Sequence, residues 1–244
     1  MSPIPAKIST RTSEPLKQRA DLSESCLLRR LPGRNRLKAD VFIYQVGDNQ
    51  IAVKDYAPRP WWIRQTVGRF LTARETRAYR ASSGTDGLPR FLGRLGRFAL
   101  ATEFVEARTL AEFEDGTVDP ALFDALQQTV LALHERGMAL ADLNHRDILL
   151  AATGEVYVID LATAWVLGNR PGPIRRRLFE QFRSADLFSL ARLRARFTGE
   201  DRDEVLRMAD PRAVRLHRIT RRLKWRWDRL RGADRLPPVD DHWR

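Results

Sequence analysis

At 244 residues the chain can bury one good core or two small lobes, and no apolar run approaches the roughly eighteen residues that cross a bilayer. Its formal net charge of +12, from 43 Lys and Arg against 31 Asp and Glu, implies an anionic partner, and nucleic acid, an anionic membrane surface or a phosphorylated glycolipid would each satisfy it. The single cysteine, Cys26, excludes an internal disulfide and has no metal-ligand companions.

Residues 1–25 are expected to form a flexible tail. Met1 to Arg19 mixes Ser, Pro, Thr and Lys without an apolar stretch, which reads as a tail rather than a signal peptide and predicts a cytoplasmic protein. A β-rich region is expected over 26–105. Within it Val41–Val46 and Gln50–Tyr56 are rich in β-branched and aromatic residues, and Gly47-Asp48-Asn49 between them suits a hairpin turn. Pro58 and Pro60 then break the chain. Trp62 to Ala81 has helical composition, with Phe70, Ala73, Arg77 and Arg80 about one turn apart, and Pro89 and Gly93 mark a turn into a strand over 98–105. Helices dominate the expectation for 106–211. Leu122, Leu126, Val130 and Leu133 give Pro120 to Arg136 a helical stripe that Gly137 ends. A small hairpin over 148–159 and helices over 186–196 and 202–208 follow. A strand-rich first half and a helical second half predict an α+β fold.

Three segments carry the candidate chemistry: Ile51-Ala-Val-Lys54-Asp-Tyr56, Ala141-Asp142-Leu-Asn-His-Arg-Asp147 and Val156-Tyr-Val-Ile-Asp160-Leu-Ala162. Phosphoryl transfer needs charge neutralised around a nucleotide, divalent cations held in place and an acceptor oxygen oriented in line. Lys54 on a strand would contact phosphates with Glu75 fixing its ammonium, and the pair also reads as a solvated surface ion pair. Asp160 ends an apolar strand and would hold Mg²⁺, which takes one or two carboxylates beside substrate phosphates; capping the following turn is its other use. Asp142 would accept the acceptor's hydroxyl proton, or is an ordinary loop aspartate.

In order and spacing these segments resemble the protein-kinase-like superfamily, and more narrowly the small bacterial lipopolysaccharide core kinases and RIO-like proteins, over roughly Leu27 to Phe197. The resemblance implies a two-lobed kinase fold with a small β-rich lobe bearing one main helix and a reduced helical lobe. It implies ATP and Mg²⁺ as substrate and cofactor, Lys54 and Glu75 at the phosphates, Asp142 as the catalytic aspartate, and Asp147 and Asp160 as metal ligands. Ala101–Glu106 resembles the hinge that presents backbone groups to adenine, with Glu103 and Val105 at the hinge positions. Asp186 is similar to the helix aspartate that braces the catalytic loop, and its separation of only 26 positions from Asp160 leaves no room for a full activation segment. The chain departs from the pattern in Leu140-Ala141-Asp142, which lacks the usual His and Arg, in Asp147 where kinases place asparagine, and in Asp160-Leu-Ala162. Leu31-Pro-Gly-Arg-Asn-Arg-Leu-Lys38 replaces the glycine-rich loop with one glycine and several basic residues.

The implied function is an ATP-dependent kinase acting on a sugar hydroxyl of lipopolysaccharide core or on protein Ser/Thr. The alternative is a nucleotide-binding pseudokinase or scaffold that uses its basic surface. The region 212–244 reads as a basic amphipathic helix and tail: Leu216, Ile219, Leu223, Trp227 and Leu230 alternate with a stripe of arginines, which suits either packing on the helical lobe or the inner face of an anionic membrane. Arg175-Arg-Arg177 reads as an acceptor-phosphate contact or a solvated cluster. No recognised motif supports nucleic-acid binding.

Overall fold

The computed structural model describes residues 22, 26–33, 35–201 and 205. It is an α+β structure whose sheets are all antiparallel. The chain forms two compact units, one built on residues up to Thr76 together with Arg90–Phe104, the other on Arg77–Pro89 together with the chain from Val105 onward. The expected flexible tail, apart from Leu22, lies outside the described residues. So do the expected 202–208 helix, apart from Val205, and the expected basic amphipathic helix and tail of 212–244.

The first unit is a five-stranded sheet in the order β1-β2-β3-β5-β4, made of β1 (Leu27–Leu31), β2 (Asp40–Val46), β3 (Asn49–Asp55), β4 (Phe91–Arg94) and β5 (Ala99–Glu103). The β2–β3 hairpin closes with Val46 opposite Asn49. Gly47 takes φ 58°, which the first central residue of a two-residue hairpin turn requires and which only glycine adopts cheaply. One sheet face carries a cluster of Phe42, Tyr44, Ile51, Val53, Leu95, Ala99 and Ala101, with Leu22 and the Cys26 side chain packed at its edge. Cys26 therefore serves as a small apolar group. The β4 strand falls where a turn is expected: Gly93, with φ 151°, marks a bulge at which the register to β5 shifts, and the chain resumes pairing beyond it.

The expected helix over 62–81 forms as three joined pieces, α1 (Trp61–Ile63), a π-helical turn (Arg64–Gly68) and α2 (Arg69–Ala81). Its turn spacing holds, but Phe70, Ala73, Arg77 and Arg80 lie on the exposed side, and Thr72, Glu75, Thr76, Ala78 and Tyr79 are buried. A Cβ at Gly68 would lie 2.8 Å from the Tyr56 Cβ, so close contact with the end of β3 demands glycine at the π turn.

In the second unit, α3 (Pro120–Glu135) starts as its sequence directs: the Asp119 carboxylate accepts from the Ala121 N–H at 2.8 Å, Pro120 occupies the first turn, and Gly137, with φ 71°, ends it. A three-stranded sheet orders β6 (Ala107–Thr109), β8 (Ile148–Ala151) and β9 (Val156–Val158), and a two-stranded ladder pairs β7 (Met138–Ala139) with β10 (Trp165–Val166). The last element, α4 (Pro173–Phe197), begins at Pro173, well before the Asp186 start expected from sequence. Phe123, Leu126, Val130 and Leu133 of α3 are buried, as are Phe188, Leu190, Leu193 and Phe197 of α4, and the two helices pack together and onto β7.

Candidate functional site

In the first unit the alternation along β3 puts Ala52 and Lys54 on the sheet face opposite the Phe42 cluster, and Val41 and Leu100 flank Lys54 across the ladders. Lys54 Nζ lies 3.0 Å from Glu75 Oε1 and 2.8 Å from Oε2. The side chains are only 16% and 2% exposed, which rules out the solvated surface pair. A pair this buried holds its geometry because separating it would strand a carboxylate away from water.

The β1–β2 connection behaves differently from a phosphate-cradling loop. Asp40, 1% exposed, accepts from the Gly33 N–H at 2.9 Å and from Arg30 Nη2 at 2.7 Å, and is also bonded by Arg59. Burial pushes its carboxyl up, but the Gly33 amide and the two guanidiniums outweigh burial and hold it below the usual carboxylate range. The loop's single glycine thus spends its amide internally. A Cβ on Gly33 would also lie 2.5 Å from the Ala39 carbonyl oxygen, so the position is closed to other residues. At the far end of β5, the Glu103 N–H donates to the Arg90 carbonyl and the Phe104 N–H to the Gln50 carbonyl, and the chain leaves the sheet at Val105.

In the second unit two loops are held together. The first, 140–147, runs from β7 to β8; the second, 159–164, runs from β9 to β10. At one side the Ile159 N–H donates to the Asp147 carbonyl at 2.8 Å, continuing the β8–β9 ladder, so Asp147 and Asp160 sit at the same end of that hairpin. At the other side the β7–β10 ladder and a bond from Thr163 Oγ1 to the Leu140 carbonyl tie the loops again. Asn144 tightens the turn between, its Oδ1 accepting from the Arg146 N–H and its carbonyl from the Asp147 N–H.

Asp186, on α4 and 1% exposed, fixes the first loop from within the core. Its Oδ1 accepts the Ala141 N–H at 2.8 Å, and its Oδ2 accepts the Leu140 N–H at 2.7 Å and lies 2.9 Å from His134 Nε2. A carboxylate only accepts, so Nε2 is the protonated ring nitrogen. These bonds hold Ala141 at φ 67°. Ala141 and Asp160, at φ 62°, are the non-glycine residues with positive φ among the described residues, and they fall one in each loop. Asp142 follows Ala141 and is exposed. Asp160 precedes a 3₁₀ turn (Leu161–Thr163) without capping it through its side chain, which removes the capping role from consideration. Among the described residues no group of three or more His, Cys, Asp or Glu is arranged for a metal.

Two features go beyond the sequence reading. His134 is fixed to Asp186 inside the core, a role whose only sequence signal is a lone histidine on the apolar side of a helix. Arg175 lies in the first turn of α4, where it donates to the Val166 and Leu167 carbonyls and covers the Trp165 ring at 5.3 Å, so part of its donor set is spent within the chain. Arg176 similarly donates to the Pro171 carbonyl. No helix among the described residues is long and apolar enough to cross a membrane. In comparisons with known proteins, no family model matches the chain and no curated protein matches it.

Proposed function

We propose that the chain is an atypical kinase with a two-lobed, protein-kinase-like fold that transfers the γ-phosphoryl group of ATP to a hydroxyl, on a lipopolysaccharide core sugar or a protein Ser/Thr. The observation that carries this reading is the Asp186 brace, which spends a buried carboxylate and tolerates a strained Ala141 to set the backbone immediately before Asp142. In this reading Asp142 accepts the acceptor's proton as the new O–P bond forms and the bond to the β-phosphate oxygen breaks, leaving ADP. Asp147 and Asp160 offer hard oxygen ligands from one end of a rigid hairpin, a donor set that suits Mg²⁺ with nucleotide phosphates completing its shell. Bound there, Mg²⁺ would neutralise charge on the phosphates. Lys54, oriented by Glu75, contacts the α- and β-phosphates, and backbone groups at Glu103 and Val105 meet the adenine.

The loop around Gly33 favours a second reading. With its glycine amide committed to Asp40, it has less to offer a nucleotide phosphate, which suits a pseudokinase that binds nucleotide without transfer. Transfer from γ-labelled ATP by the purified full chain separates the two. Kinase action predicts Mg²⁺-dependent transfer that falls at least about 100-fold in Asp142→Asn. Transfer that survives both Asp142→Asn and Asp160→Asn overturns the assigned roles, and nucleotide binding without transfer selects the pseudokinase.

A further inference from the structure

The helical stretch from Trp61 to Thr76 turns its aromatic residues outward. Trp61, Trp62 and Phe70 are 68%, 59% and 63% exposed, where side chains of this size ordinarily seek burial. With Thr66, Arg69 and Ala73 they recur at three- and four-residue steps, opposite the buried Ile63, Gly68, Thr72, Glu75 and Thr76, and so form one side of the helix. Arg69 is exposed on this side, whereas Arg64 and Arg74 are half-buried, Arg64 over the Phe98 ring at 5.8 Å; the single acid of the stretch, Glu75, is buried against Lys54. Thr66 donates its hydroxyl to the Trp62 carbonyl at 2.6 Å, so it carries no unmet donor into an apolar medium.

We propose that this side of the helix docks on an anionic membrane surface, with Trp61, Trp62 and Phe70 entering the headgroup boundary and Arg69 meeting lipid phosphates. Tryptophan and phenylalanine beside arginine on an exposed helix side is the composition that lies in a bilayer interface, and the chain's +12 net charge draws it to an anionic one. Single-stranded nucleic acid would also accept arginine and aromatic rings, but the proteins that bind it track its backbone along a groove, whereas the surface here is a helix side. The proposal goes beyond the kinase reading and stands independently of it.

Cosedimentation of the full chain with phosphatidylcholine vesicles, alone or mixed with phosphatidylglycerol, tests it. Binding is expected only with phosphatidylglycerol. It should weaken at least about tenfold in Trp61→Ala/Trp62→Ala/Phe70→Ala and about fivefold in Arg69→Gln, with thermal melting unchanged because these side chains are exposed. Absence of vesicle binding, as expected if the surface serves an acidic protein or nucleic acid, overturns the proposal. So do equal binding to both vesicles, and binding that ignores these substitutions but is lost in Trp225→Ala/Trp227→Ala.

Discussion

Replacing Asp186 with asparagine keeps its shape and removes its charge. Three donors converge on this carboxylate, at 2.7, 2.8 and 2.9 Å, and asparagine offers them one oxygen and an NH₂ group that cannot accept. At least one buried N–H is left without a partner, at about 1–3 kcal/mol, and the remaining bonds lose their charge assistance, for a gross loss of about 4 kcal/mol. Ala141, released from its left-handed conformation, returns about 1 kcal/mol. The net loss of about 3 kcal/mol corresponds to a melting temperature lower by about 6–12 °C for a chain of this size. Circular-dichroism melts measure the total, and amide exchange at Leu140 and Ala141 localises it. Ala141→Gly supplies a coupled control: alone it should stabilise by up to about 1 kcal/mol because glycine adopts positive φ freely, and that gain should disappear in the Asp186→Asn background. A melting temperature within about 2 °C of the parent, with amide protection at 140 and 141 unchanged, would refute the brace.

Asp40→Asn should cost about 2 kcal/mol at neutral pH, since it leaves Arg30 and Arg59 without their carboxylate. Because the folded-state pKa of Asp40 is depressed, this contribution is fully present above its ordinary value near 3.8 and is lost as pH falls through the folded value; urea unfolding of parent and variant should therefore converge in strong acid. A gap that persists there would contradict the ion-pair account. Gly87→Ala forces a Cβ to 2.2 Å from Thr129 Oγ1 at φ 79°, beside the carbonyl that accepts the Val158 N–H of β9, and should cost about 3 kcal/mol. Gly84→Ala, at φ 75° with its nearest neighbour atom 3.9 Å away, should cost only about 1 kcal/mol, and equal losses would show that packing against Thr129 is unimportant.

Elements with complete local signals were legible in the sequence. The β2–β3 hairpin has alternation and a glycine turn, α3 has its cap, its first-turn proline and its terminal glycine, and the β8–β9 hairpin has apolar runs around Gly154. Elements defined by tertiary contact were not. The β7–β10 ladder is two residues a side, too short for any period, and β4 is interrupted by its own bulge glycine. The first turns of α4 are exposed as far as Leu178, so their arginines, with Ile174 and Leu178 among them, show no apolar stripe to mark the start at Pro173. At the candidate site, the order and spacing of the three segments picked out Lys54, Glu75, Asp142 and Asp160, and the resemblance they carry added Asp147. The burial of the Lys54–Glu75 pair and the strain at Ala141 depend on packing against α2 and α4, which no local pattern encodes.

Equilibrium binding of ATP with and without Mg²⁺, followed by calorimetry on the full chain, tests the proposed nucleotide site most directly. Lys54→Met is best made together with Glu75→Gln, so that no unpaired carboxylate is left buried. The account predicts Mg²⁺-dependent binding, weakened about tenfold or more by the Lys54→Met/Glu75→Gln pair and stripped of its Mg²⁺ dependence by Asp160→Asn. No ATP binding by the parent chain, or binding indifferent to both sets of substitutions, would contradict it.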